Sequence, residues 1–124
     1  MTSPEQSPQA YRPEMRSEPR VEVYFHGTLA LGGVTTPCSV KNMCSRGFLI
    51  KYSKDLPVGS IGQHLHFTCE LYPGRIVKCT VQVRHINREY LGAKVMEMNE
   101  EGQAICQQFL AERRAAEQQA AARS

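Results

Sequence analysis

The stretch from His64 to Val83 leaves the fewest options for folding. His64-Leu-His-Phe-Thr-Cys-Glu-Leu alternates polar and apolar residues, so Leu65, Phe67, Cys69 and Leu71 share one face. Strict alternation marks a half-buried strand, because successive side chains of a strand point to opposite sides. Tyr72-Pro73-Gly74-Arg75 comes next. Pro presets φ at the first central position of a turn, and Gly accepts positive φ at the second. The return stretch then places Val77, Cys79, Val81 and Val83 on one side. This reads as an antiparallel hairpin with one apolar face, and such a hairpin needs more strands to cover that face.

Candidates for those strands lie on both sides. Val21-Glu-Val-Tyr-Phe puts Val21, Val23 and Phe25 together, and Gly32-Gly33 marks a turn within the Gly27–Pro37 region. A second strand is expected around Cys38–Lys41, then a polar turn over Asn42–Gly47, then a third strand over Phe48–Tyr52. Leu56-Pro-Val-Gly interrupts the chain, and Tyr90–Met96 supplies the last strand after the hairpin. Short antiparallel strands spaced by turn signals predict a mainly β fold, a small six-stranded, split-barrel-like β-barrel. At Asn99 the period changes. Asn99 can cap a helix, Glu100 and Glu101 suit its positive N-terminus, and Ile105, Phe109 and Leu110 form a narrow apolar stripe. A C-terminal α-helix is therefore expected. Past Arg113 the residues favour helix but have little to bury, which predicts a frayed end or a weak helical partner surface.

Three segments follow from this. Residues 1–19, rich in Pro, Ser, Gln and Glu, cannot offset their ordering entropy by burial and are expected to be flexible. Residues 20–98 form the barrel, and 99–124 the helix with its tail. No run approaches the length of a membrane span, and the N-terminus lacks the basic and apolar regions of a signal peptide. Five cysteines without a CxxC pair fit small core residues in a reducing cytosol, so the chain is expected to be cytoplasmic.

The same residues argue against several functions. A net charge of +3 is small and spread out, with no concentrated basic face and no cluster of stacking aromatics for a nucleic-acid polymer. His64 and His66 share a strand face, but zinc would need three or four converging ligands, so no metal is expected. Cys44 beside Ser45 could be a nucleophile, yet nothing in the sequence identifies its base. No GxxxxGK[ST] phosphate loop occurs. The reading is a non-enzyme without a cofactor.

Two motifs stand in order. Arg16-Ser-Glu-Pro-Arg20 precedes the first strand, and Asn42-Met-Cys44-Ser-Arg-Gly47 begins 22 residues after Arg20. Asn carries two donors and an acceptor on a short stem, and Gly permits positive φ and close approach of a ligand to the backbone. Arg offers a planar fork of donors for phosphate or for guanine O6/N7. This pair resembles the PilZ domain, the bacterial cyclic di-GMP receptor module, whose signatures are RxxxR and [D/N]xSxxG. Leu-Pro-Val-Gly at 56–59, Tyr-Leu-Gly-Ala-Lys-Val at 90–95 and the closing helix match as well, so the resemblance covers about residues 15–112. In two places the chain departs from the pattern: Cys44 occupies the Ser position, and Met15 stands where many members carry another Arg.

The resemblance implies a stand-alone receptor that binds cyclic di-GMP through Arg16, Arg20, Asn42, Cys44 and Gly47. The arginines would close over the ligand as a strap, while Asn42 and the backbone near Gly47 receive a guanine. Arg46 is expected to be an exposed loop residue. Closure would order the N-terminal segment and present a surface to an effector protein, with an output in motility, adhesion, exopolysaccharide or virulence. The alternative is an adaptor of the same fold that works without ligand.

Overall fold

The computed structural model describes residues 19–123, with side chains through residue 120. The strands are β1 (Val21–Leu31), β2 (Val34–Cys44), β3 (Gly47–Lys51), β4 (His64–Tyr72), β5 (Arg75–Ile86) and β6 (Tyr90–Met98), followed by α1 (Glu100–Arg123). They close into an antiparallel barrel in the order β1-β2-β3-β6-β5-β4. The mainly β barrel with a C-terminal helix expected from the alternation is the fold observed.

The hairpin over His64–Ile86 forms with the expected residues inward and with a register shift between Glu70 and Tyr72. Leu65 pairs with Val81, Phe67 with Cys79 and Cys69 with Val77, and all six side chains are buried. Gly74 turns the chain with φ 77°. Across the barrel Phe48 meets Phe67, with ring centroids 4.8 Å apart. Leu29, Val40, Met43 and Ile50 complete the centre, each fully buried.

β1 and β2 are longer than the sequence indicated, running to Leu31 and starting at Val34 around Gly32-Gly33 (φ 58° and 84°). Pro37 is accommodated within β2 because it pairs with Thr28 of β1, while pairing with β3 starts only at Ser39. Its missing N–H therefore falls on the side without a partner strand. Asn42 lies inside β2 and not in a turn; the connection is Ser45-Arg46, with Cys44 paired to Gly47. Val40 and Met43 both point inward with two residues between them, which simple alternation forbids. A bulge permits it: the β2–β3 register slips between Val40 and Asn42, and the β1–β2 register slips between Glu22 and Phe25. Together the slips turn Lys41 and Asn42 to the outside.

The helix begins as its cap predicts, with Asn99 Oδ1 accepting from the Gly102 amide at 2.8 Å. Ile105 and Leu110 are buried as expected, and Cys106 joins them. Phe109 has a separate task. β1 and β4 pair only from Gly27–Cys69 to Ala30–His66, and beyond that they diverge. Phe109 fills the divergence, its ring edge-on to Phe25 at 5.9 Å and to Tyr72 at 6.0 Å. Polar contacts extend the seal. Tyr72 donates to Glu112 at 2.6 Å, Gln108 donates to Glu112 at 3.1 Å and Arg75 donates to Gln108 at 3.5 Å.

Candidate ligand-binding site

Arg20 lies just before β1 and is exposed; its Nη1 donates to Asn42 Oδ1 at 3.1 Å. Residues 22 apart in sequence, one from each motif, are thus in direct contact. The bulges around Asn42 explain its orientation, and Glu22, its partner across the ladder, places Arg20 two residues away. Arg16 lies outside the described residues.

Arg20 also lines a cleft of about 150 Å³ with Cys44, Arg46 and Gly47 from the β2–β3 turn, Arg84 and His85 from the end of β5, and Gly92, Ala93 and Lys94 from β6. Four cations from four parts of the chain, Arg20, Arg46, Arg84 and Lys94, surround one small volume, and no carboxylate lines it. The sequence showed no concentrated basic face, yet folding assembles one. Arg46 is exposed, as expected, but at the mouth of this cleft. Its backbone is fixed, because the Val95 amide donates to the Arg46 carbonyl at 2.7 Å.

The two glycines of the cleft serve packing. Gly47 makes no use of the positive φ open to glycine; it lies in strand β3, and a Cβ there would run into the carbonyl oxygen of Ala93 on β6. Gly92 lies opposite His85, and a Cβ at Gly92 would occupy the space of the imidazole. The ring therefore rests flush on the strand beside the cationic groups. Neither Arg84 nor His85 is marked in the sequence as a ligand-binding residue. The only signal was the end of alternation after Val83, where the β5–β6 register slips.

Cys44 is buried, at 9% exposure, between this cleft and a larger cavity of about 280 Å³ that lies toward α1. The larger space contains neither Arg20 nor Gly47, so the smaller, basic one is the candidate site. The other four thiols are core residues. Burial pushes Cys38 and Cys79 up to about 12 and Cys106 up to about 11, and it raises Cys69 as well, which makes all four poor nucleophiles. His64 and His66 are exposed on β4. Among the described residues no three His, Cys, Asp or Glu side chains are placed to hold a metal ion, and no helix is long and apolar enough to cross a membrane.

A family model described as PilZ domain matches residues 14–112. No curated protein matches the chain. Among solved structures, the Bacillus subtilis inhibitor of motility (MotI/DgrA) superposes with a TM-score of 0.68 at 14% identity. The match covers 78% of this chain and 49% of that one, so the chain spans about half the length of that protein. At this identity the likeness is one of fold.

Proposed function

The chain belongs to the PilZ domain family, a family of cyclic di-GMP-binding adaptors, and on that premise we propose that its basic cleft is a cytoplasmic receptor site for this nucleotide. Arg20, with Arg16 ahead of it in sequence, grips phosphate or a guanine Hoogsteen edge. Asn42 orients Arg20 and offers its amide to a base. Cys44 and Gly47 form the wall behind the ligand. Arg46, Arg84 and Lys94 supply further positive charge for two phosphodiesters, and the His85 ring gives a flat surface for a base. The output passes to a protein partner, with motility one candidate process.

One observation carries this reading: the Arg20–Asn42 hydrogen bond joins one residue of each family motif beside a cleft lined only by neutral and cationic groups. An arginine contact to phosphate or guanine contributes ~1.5–3 kcal/mol net, so its loss lowers affinity roughly tenfold to a hundredfold. The test is calorimetric titration of the chain and of Arg20→Ala with cyclic di-GMP. Binding that the substitution abolishes supports the receptor. An Arg20→Ala protein that binds like wild type removes Arg20 from the site, and absence of heat with wild type favours the ligand-independent adaptor.

A further inference from the structure

Both flanks of Arg20 are held by the far end of the chain. Arg114 on α1 donates from Nη2 to the Pro19 carbonyl at 2.9 Å, across 95 residues. Arg113 donates from Nη2 to the Glu22 carbonyl at 3.0 Å, across 91 residues. Pro19 precedes the first strand, and Glu22 lies where the β1–β2 ladder slips, so both carbonyls sit where regular pairing stops. Between them, Val21 is buried and Arg20 reaches out to Asn42. Two neighbouring guanidinium groups therefore grip the backbone one residue before Arg20 and two residues after it. Hydrogen bonds from a charged donor are the stronger kind and fix direction as well as distance.

We infer that Arg113 and Arg114 are positioning residues for Arg20, so that the second half of α1 sets how the N-terminal arginine motif meets the cleft. The ligand's identity in this inference rests on the receptor reading; the positioning itself does not. Helix docking does not depend on these two arginines alone, because Phe109 and the Tyr72–Glu112 contact hold α1 to the barrel independently. Placement of Arg20 and attachment of the helix can therefore be separated. Linkage then makes the coupling reciprocal: if the grip favours the bound arrangement of Arg20, occupancy of the cleft tightens the grip by the same factor. The exposed end of α1 would in this way register whether the cleft is filled.

The test uses the whole chain carrying Arg113→Gln and Arg114→Gln together. Its first arm needs no ligand and follows the side-chain amide resonance of Asn42 by NMR. Arg20→Ala shifts that resonance by removing the donor. The double variant should move it in the same direction by at least half as much, with the backbone signals of residues 105–110 unchanged. An Asn42 resonance that stays at its wild-type position overturns the inference. The second arm is calorimetry with cyclic di-GMP, in which the double variant should bind about tenfold more weakly. In an Arg20→Ala background the same pair should cost nothing further, since residues acting through one group are not additive. A full additional loss there means that the arginines act elsewhere, and overturns positioning. No binding by wild type defeats the receptor reading and leaves the positioning decided by the first arm. Tyr72→Phe is the control, because it weakens helix docking without touching Pro19 or Glu22 and should leave the Asn42 resonance in place.

Discussion

The Arg20 guanidinium donates a hydrogen bond to the side-chain oxygen of Asn42 across 3.1 Å. An arginine on a strand approach would otherwise sample many rotamers, and binding would have to overcome that freedom. Asn42→Ala removes the acceptor and leaves the bulged backbone in place. Cyclic di-GMP affinity should fall about tenfold, while unfolding stability changes by less than about 0.5 kcal/mol because the contact is exposed. Calorimetry beside urea unfolding separates the two. Unchanged affinity would show that Asn42 neither orients Arg20 nor contacts the ligand.

Cys44 puts a thiol where the family carries a hydroxyl, at a buried position on the cleft wall. A hydroxyl is the better hydrogen-bonding group. Cys44→Ser is expected to raise affinity by about fivefold, corresponding to ~1 kcal/mol. A fall in affinity would mean that the wall works here by apolar packing.

Gly47 faces the Ala93 carbonyl with no room for a methyl group. Gly47→Ala should destabilise the barrel by about 1–3 kcal/mol through overpacking between β3 and β6. Denaturant unfolding measures this directly. The loss should appear with no ligand present, which distinguishes packing from recognition. A variant as stable as wild type that fails to bind would instead place Gly47 in ligand contact.

The Tyr72–Glu112 contact makes helix docking depend on pH at both extremes. Removal from water, then the hydrogen bond to Glu112 and its charge, push the Tyr72 hydroxyl from 10.0 up to about 12. The contribution of neutral Tyr72 is thus complete below pH 10 and is lost as pH rises through about 12. The hydrogen bonds from Tyr72 and then Gln108 hold the Glu112 carboxyl below its ordinary 4.5. Its contribution is present above pH 4.5 and disappears as pH falls below it. Amide exchange of residues 105–112 should therefore accelerate at both ends of the range, and in Glu112→Gln the acid limb should vanish. Equal acid sensitivity in that variant would assign the effect to another group.

The barrel was legible wherever period-2 alternation runs uninterrupted, as in His64–Leu71 and Val77–Val83, and wherever glycine marks a turn, as at Gly33 and Gly74. It was least legible where one more residue enters a strand. Asn42 read as part of a turn because two outward residues separate Val40 from Met43, a pattern that only a bulge reconciles with a strand. The β1–β2 extension was hidden by Gly27 and by Pro37, residues usually found at strand ends but tolerated here by a close neighbour and a one-sided pairing. Arg20 and Asn42 could be named through the resemblance to the family's two motifs. Arg84, His85 and Lys94 could not, since their convergence depends on which strands become neighbours in the closed barrel. Arg113 and Arg114 stand where the helix begins to have little to bury, and nothing local announces a bond to a carbonyl more than 90 residues earlier.

The wedge formed by Phe109 has a consequence for how the molecule meets other copies of itself. Where β1 and β4 part, residues 21–26 have no partner on β4 and residues 70–72 have none on β1. Uncovered, such stretches are templates on which another chain can add a strand, a common start of aggregation. With α1 seated across the split, the barrel offers no bare edge there, and recognition at that place has to go through side chains. Concentrated solutions of Phe109→Ala are where uncontrolled self-association should first appear.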